Sequence, residues 1–576
     1  MLPLVWRTEI ADLAGVWRVV PASERPHRVC RELAECDNPA AATWRQLPIG
    51  SGEQAIVFSY AVPNGATVRA RLTGSGLAGA KVVARLLGKG ESEFWPLWTW
   101  RPELDEAGAE FATQAPAGGE WVGGVITVAG VDPARIALEV KSLLIEEQRQ
   151  PSTRPNLILV TLDTFRADHV SCLNSQAGLT PTLDSLAAVG TLFDQAVATS
   201  QCTGPSHASM MTGLYCFAHG VYQNTEGLSS AAVTIADVLS QAGYRTLGAV
   251  SIAHLNPTTS NLGQGFGMFI DSRWPGVGGE PADVQTARVV RALQLVPQDG
   301  PPWFLWVHYF DPHTPYTPPS AGVDWCIGPN TTDEVRYRNG MGAVQYDTTT
   351  GLVRDPRGEV LRYGGEVMFL DRQLDALFAG LRRLGILEHA VVTVVADHGE
   401  GLGEHGIYFE HAGMFQEVLQ VPLIMSGAGI PSARRISTRV SGVDVFPTLL
   451  ARAEVRKIPA NYGRDLLRIA DGPRTPRREI IFAESVGGAI RAAWEGDGKL
   501  LWVPDGKPDN WSVPERMMYF DLGADPSESD NRIKSARDAL RLKTAFEKAK
   551  RRPLVSLRGQ QAIADTDRLR ALGYMQ

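Results

Sequence analysis

Residues 156–163 read NLILVTLD, an apolar run closed by a carboxylate, Asp163. A short continuous run of this kind, preceded by the polar, proline-bearing segment 148–155 (QRQPSTRP), reads as a strand buried on both faces. Four later runs repeat it: RTLGAVSI (245–252), WFLWVHYF (303–310), AVVTVVAD (390–397) and VPLIMSG (421–427). The stretches between them, PTLDSLAAVG (181–190), AAVTIADVLSQAG (231–243), ADVQTARVVRALQL (282–295) and GGEVMFLDRQLDALFAGLRRLG (364–385), place apolar residues three and four apart, as amphipathic helices do. Strands alternating with helices predict an α/β fold with a mostly parallel sheet flanked by helices, over residues 151–470.

The flanks differ in texture. Residues 1–150 carry short Val-rich and aromatic segments punctuated by Gly, Pro and Asn, from QAIVFSYAV to IALEVKSLLIEE, which predicts an N-terminal β-sandwich or jelly roll. Trp95, Trp98, Trp100 and Trp121 either fill its core, the commoner outcome, or form a carbohydrate-stacking surface. Residues 471–576 predict a small antiparallel sheet (EIIFAES, AIRAAW, GKLLWV, MMYFDL), a charged, solvated helix (ARDALRLKTAFEKAKRR) and a short amphipathic tail (ADTDRLRALGYMQ).

Composition narrows the function. At 576 residues several domains are expected, and 44% hydrophobic content is ordinary for a globular chain. A net charge of −7 argues against a nucleic-acid surface, so an anionic substrate must be drawn by a local centre. No apolar run reaches the ~18 residues of a membrane span. No signal peptide is visible, which makes the cytoplasm the default with export left open, and an oligomer is left open too. The six cysteines (Cys30, Cys36, Cys172, Cys202, Cys216, Cys326) show no Cys-x-x-Cys pair and read as mostly free thiols, with Cys30–Cys36 the one local disulfide.

In open parallel sheets ligands gather at the carboxyl ends of the strands. Three runs deliver polar residues there: Asp163; His308 with Asp311 and His313; Asp397 with His398. One such ending is usually a turn residue, whereas three together point to a site. Residues 199–224 (TSQCTGPSHASMMTGLYCFAHGVYQN) add a hydroxyl. Gly204 and Pro205 disfavour helix, so Ser206 is expected to cap a helix starting at His207, leaving Thr203 on the loop at a positively polarised helix end. A lone Thr-x-Pro-Ser is most often just a cap. Joined to Asp163, Asp397 and His398, Thr203 completes a hard-to-borderline donor set for a divalent metal, Zn²⁺ foremost, with Mn²⁺, Mg²⁺ or Ca²⁺ compatible, as one or two ions per chain. Asp311, His313 and His411 offer a second set, while His405 and His411, in a Gly-rich loop, read equally as caps.

The runs LILVTLDTFRADHVSCL, TPTLDSLAAVGTLFDQAVATS, TGPSHASMMTGLY, HYFDPHTPYTPP, VVADHGEGLGEHG and EVLQVPLIM, in that order, resemble the sulfatase branch of the alkaline phosphatase superfamily. MMYFDLGADPSESDN resembles that branch's C-terminal subdomain, and residues 1–150 lie outside the likeness. Formylglycine sulfatases carry Cys-x-Pro-Ser-Arg; here the run is Thr203-Gly204-Pro205-Ser206-His207, with Cys202 one place too early and His207 where the Arg would be. Threonine cannot become formylglycine, so the resemblance implies an unmodified Thr203. The same stretch resembles the nucleotide pyrophosphatase/phosphodiesterase branch, which implies a Thr nucleophile, Asn224 and His207 on the substrate side, Asp163, Asp397 and His398 as ligands, and a second metal on Asp311, His313 and His411, although Asp-Pro-His departs from that branch's spacing. His308 or His405 is left to protonate the leaving group.

These readings converge on a metal-dependent hydrolase of small anionic sulfate or phosphate esters: a phosphodiester, phosphonate monoester or aryl sulfate. The alternatives are a phosphoryl or phosphoethanolamine transferase with the same centre, and a non-catalytic glycan-binding relative.

Overall fold

A computed structural model gives the fold. The described residues are 4–9, 17–20, 54–62, 66–75, 78–88, 94–104, 106–115, 121–129, 137–149, 153–319, 335–336, 352–353, 356–557 and 562–563, apart from 176, 273–277, 297, 299, 470–479 and 505–514. Cys30, Cys36, Cys326, the side chains of Trp95, Trp98 and Trp121, and the tail from residue 564 lie outside them.

The first 149 residues contribute two antiparallel sheets. One orders the strands Leu4–Glu9, Ala137–Arg149, Thr67–Ser75 and Glu106–Gln114; the other orders Trp17–Val20, Gln54–Val62, Trp121–Ala129, Lys81–Gly88 and Phe94–Trp100. Period-two alternation is visible where side chains are described: Val68, Ala70 and Leu72 are buried, while Arg69 and Arg71 are exposed. Trp100 is half-buried and stacks edge-on against Phe111.

The central sheet holds eight strands: β1 (Asn156–Leu162), β2 (Thr191–Phe193), β3 (Arg245–Ala249), β4 (Met268–Ile270), β5 (Trp303–Tyr309), β6 (Ala390–Ala396), β7 (Leu423–Gly427) and β8 (Arg434–Ile436), in the order β4-β3-β5-β1-β6-β7-β2-β8. β7 is antiparallel to both neighbours, and the other adjacent pairs are parallel. The run VPLIMSG therefore belongs to the sheet but not to its parallel part. Residues 397–422 do not cross a face as a helix; the chain re-enters beside the end it left, with Leu423 opposite Val395, and an antiparallel neighbour results. β5 and β6 are buried along their whole length, as is β1 beyond Asn156. The short strands β2, β4 and β8 carry too few residues to show a period in sequence.

Two helices border the strand ends that carry the polar residues: α1 (Thr203–Thr212) and the 28-residue α2 (Pro356–Arg383). Beyond residue 480 the strands Ile481–Glu484, Arg491–Glu495, Gly498–Trp502 and Met517–Asp521 form an antiparallel meander. The helix Ala539–Arg551 is not wholly solvated: Ala539, Leu542 and Phe546 are buried, and Phe546 meets Trp502, Phe482 and Phe217 edge-on. Its apolar residues fall three to four apart, so one stripe faces the sheet while the charges face water.

A buried ion pair ties this unit down. Lys499 Nζ lies 2.6 Å from Glu528 Oε1, both side chains inaccessible, and Gln416 N donates to Glu528 Oε2 at 2.6 Å. Removing one partner leaves a charge in a dry interior, so Lys499→Met should cost about 3–5 kcal/mol. The double variant Lys499→Met/Glu528→Gln should recover most of it, since glutamine still accepts from Gln416 without a charge. Guanidinium unfolding midpoints of the two variants check this.

Candidate active site

Strand register aligns the site. Thr161 of β1 pairs with His308 of β5 and Val395 of β6. Alternate residues share a face, so Thr161 and Asp163, Trp306 and His308, and Val395 and Asp397 project to one side at one end of the sheet. The ladder runs one residue past the strands: Asp163 N donates to Tyr309 O at 2.9 Å and Asp397 N to Leu162 O at 3.1 Å. The two carboxylates are thereby anchored by backbone.

α1 enters over this edge. Its N-cap is Cys202, and Thr203 is the first helical residue, not a loop residue. The expected start at His207 is corrected for a physical reason. The first four N–H groups of a helix need no partner within it, so Gly204 and Pro205 are tolerated in the first turn. Ser206 N donates to Cys202 O at 3.0 Å, closing that turn, and the Ser206 hydroxyl donates to Asp397 O at 2.7 Å instead of capping.

The result is a compact donor set. Thr203 Oγ1 lies 3.4 Å from His398 Nε2, which lies 3.7 Å from Asp163 Oδ1 and 3.7 Å from Asp397 Oδ2. His308 Nε2 is 3.5 Å from Asp163 Oδ2. Among the described residues, ligand atoms of Asp163, Asp397 and His398 fall within 4.8 Å of one another, as do those of His207, His308 and Asp397. Both oxygens of Asp163, Asp397 Oδ2 and His308 Nε2 are buried without a hydrogen-bond partner. His398 Nδ1 faces Gly399 O at 3.0 Å and so carries the ring proton, which leaves Nε2 a bare acceptor. Gly399 is required there, because a Cβ would meet Glu417 O at 2.1 Å. Bare acceptors converging on one point, with edges near those of a tetrahedron with bonds of about 2.0–2.2 Å, fit a divalent cation.

A family model described as Sulfatase matches residues 155–455, more than half of the chain. The chain belongs to the sulfatase family. It is 24% identical over 431 residues to arylsulfatase K of Gallus gallus, covering 66% of this chain and 79% of the relative. It is 25% identical over 478 residues to the multifunctional alkaline phosphatase superfamily protein PehA of Trinickia caryophylli, covering 66% and 91%. In fold it resembles the phosphonate monoester hydrolase of Agrobacterium radiobacter, with TM-score 0.54, 20% identity, and 70% and 96% coverage. As a family member the chain is a hydrolase of sulfuric or phosphoric esters. No helix among the described residues is long and apolar enough to cross a membrane.

Electrostatics in this sulfatase-family site arise from burial. Burial opposes the Asp163 charge, but His308, His313 and His398 around it hold its pKa well below the carboxylate range. Asp397 is pushed well up, by burial and then by Asp163 beside it. Two carboxylates this close resist joint ionisation unless positive charge sits between them. Burial also pushes His398 down to about 4 and His411 well below the usual imidazole range. Cys202 is no rival to Thr203: its buried thiol donates to Asn224 Oδ1 at 3.1 Å, and burial pushes it up to about 12. Asn224 Oδ1 also accepts from Gly204 N at 2.7 Å, so its amide nitrogen is the end left to donate.

The remaining expected residues separate. His313 and His411 are brought together, with ring centroids 5.5 Å apart, and His411 lies 4.6 Å from the His398 ring. Asp311 does not join them: its carboxylate bonds with Glu366 of α2, whose pKa is raised by burial and by Asp311. The expected Asp311–His313–His411 metal set is therefore corrected; the loop turns Asp311 toward α2. His405 is corrected too. Its Nδ1 pairs with Glu417 Oε1 at 2.8 Å and its ring stacks on Phe415 at 3.7 Å, away from Thr203. His207, on α1, is fully buried, and its ring nitrogens meet Thr203 O and Thr161 Oγ1. Two residues went unread in sequence. His254 is buried within electrostatic reach of Asp163 and His308, and the run RTLGAVSI ending two residues before it was the available signal. Glu400 is buried with its Oε1 3.9 Å from His411 Nδ1 and accepts from the Tyr316 hydroxyl at 3.1 Å.

Burial lowers the His405 pKa, but Glu417 outweighs it and the folded value is raised. A raised imidazole stabilises fully below its unfolded pKa of about 6.5, and that stability is lost as pH climbs through the folded value. His405→Gln should thus cost about 1 kcal/mol near pH 6 and much less near pH 9, read from urea midpoints at the two pH values.

Proposed function

We propose that unmodified Thr203 is the nucleophile of this ester hydrolase, beside one divalent cation held by Asp163, Asp397 and His398. The observation that carries the reading is the placing of Thr203 Oγ1 3.4 Å from the unprotonated His398 Nε2, with unpartnered carboxylate oxygens of Asp163 and Asp397 facing the same point. The edge lengths fit a tetrahedral zinc site and a six-coordinate calcium site alike. Such an ion supplies the positive charge that lets two buried carboxylates ionise together and lowers the pKa of the adjacent hydroxyl.

The chain's own groups do the rest. Thr203 gives up its proton to solvent before substrate binds and attacks sulfur or phosphorus in line. The bond to the ester oxygen breaks as the new one forms. His411 and His313 line the open side beside the departing oxygen, which takes its proton from solvent. The Asn224 amide nitrogen, its oxygen already held by Gly204 N, donates to an equatorial oxygen. Water then cleaves the threonyl ester and restores the hydroxyl.

Charge selects among substrates. Burial holds His398, His411 and His254 toward the neutral form, so one dication faces two carboxylates and an alkoxide. A singly charged reacting group, as in a sulfate monoester, phosphodiester or phosphonate monoester, suits that balance better than a doubly charged phosphate monoester. The names of PehA and of the Agrobacterium radiobacter enzyme agree with activity beyond sulfate.

In a panel of p-nitrophenyl esters the three singly charged classes should outpace the phosphate monoester. Thr203→Ala should lose about a thousandfold or more in kcat while metal analysis still finds the ion. Wild-type turnover by metal-loaded Thr203→Ala overturns the assignment.

A further inference from the structure

We infer that Trp306, Thr161 and His207 form a one-way hydrogen-bond relay that fixes the backbone of Thr203, with Trp306 and Thr161 acting as positioning residues through His207. The inference rests on Thr203 being the nucleophile and goes beyond it, to what aims that residue.

Three contacts make the relay. Trp306 Nε1 lies 3.0 Å from Thr161 Oγ1. Thr161 Oγ1 lies 3.0 Å from His207 Nε2. His207 Nδ1 lies 2.8 Å from Thr203 O. An indole nitrogen only donates, so Thr161 Oγ1 accepts from Trp306 and turns its own proton to His207 Nε2. A carbonyl oxygen only accepts, so Nδ1 must carry the imidazole proton. Each proton in the chain has one allowed direction, and the ring is fixed as the neutral Nδ1–H form.

All the members are rigidly seated. Trp306, Thr161 and His207 are fully buried. Thr161 and Trp306 sit on adjacent strands and face the same side, in the layer covered by α1. His207 lies one helical turn after Thr203, so its bond to the Thr203 carbonyl clamps the first turn of α1, where end-fraying would otherwise move the hydroxyl. A displacement of about 1 Å in an attacking atom is worth about a hundredfold in rate.

The relay also decides between two readings of one cluster. The ligand atoms of His207, His308 and Asp397 approach one another closely enough to suggest a second cation. His207 has no lone pair to offer it: Nδ1 is protonated toward Thr203 O, and the Nε2 lone pair is taken by Thr161. The 3.6 Å from His207 Nδ1 to Asp397 Oδ2 is then a weak second acceptance by the carboxylate, not a shared ion.

Thr161→Val removes the hydroxyl at nearly constant volume and should lower kcat about ten- to a hundredfold, with KM and bound metal unchanged and with the loss in the single-turnover burst that reports attack by residue 203. Thr161→Ser should regain most of the rate. Because valine also strands the Trp306 N–H, the double variant Thr161→Val/Trp306→Phe is the control: it should regain thermal stability but not rate. Recovery of rate together with stability shows a packing role and overturns the relay, as does release of a metal ion by Thr161→Val. Wild-type kcat in Thr161→Val with an inactive Thr203→Ala removes the relay alone, whereas an active Thr203→Ala removes the nucleophile on which it rests.

Discussion

Two carboxylates, Asp163 and Asp397, are buried at the ends of adjacent strands, each with an oxygen that no donor among the described residues reaches. Isolated, that arrangement is unfavourable, because each charge loses its water and repels the other. No arginine fork or run of backbone N–H groups among the described residues relieves the facing oxygens. Asp397 Oδ1 is satisfied, by His398 N at 2.7 Å and Thr164 N at 3.3 Å, which leaves Oδ2 aimed at the cluster. The fold gives up stability to keep this cluster of acceptors, and the neighbouring histidines and the entry of the helix that carries Thr203 are arranged around it.

The histidine shell is largely neutral, and this shapes the chemistry. Where formylglycine sulfatases resemble this chain they carry an arginine at the position of His207. A buried neutral ring there contributes direction, through Nδ1–H to the Thr203 carbonyl, and no net charge. In the mechanism proposed above, positive charge is then concentrated on the side of Thr203 where Asp163 and Asp397 converge, and a single centre there has less to offer a doubly charged phosphoryl group than a singly charged ester.

The C-terminal meander closes the molecule behind the site. Glu484 N bonds to Thr199 O at 3.0 Å, four residues before Thr203. Phe217 and Tyr215, which lie just beyond α1, pack on Phe482. The Lys499–Glu528 pair reaches Gln416 in the loop that supports Gly399 and His398. The C-terminal sheet thus touches, through Glu528, the segment whose backbone packs on Gly399 beside His398.

Asp163, Asp397 and His398 were legible because each directly ends an apolar run, and the end of a buried parallel strand has one place to go. Thr203 was legible as a hydroxyl at a helix end, but not as the first helical residue, since Gly-Pro is permitted in a first turn whose N–H groups have no partner within the helix. Asp311 and His313, two residues apart, diverge, one to Glu366 and the other to His411. His405 and His411 share one Gly-rich loop and face opposite ways. Loop side chains have no period, so spacing does not fix their direction. The amino-acid sequence by itself determined the α/β layering and which strands bring acid and imidazole to one edge, because burial imposes periods of two and 3.6 on the chain. Only the tertiary structure decided which loop histidines come beside His398, and that Thr161 and Trp306 meet His207, because those contacts join residues tens to hundreds of positions apart through packing that no local pattern encodes.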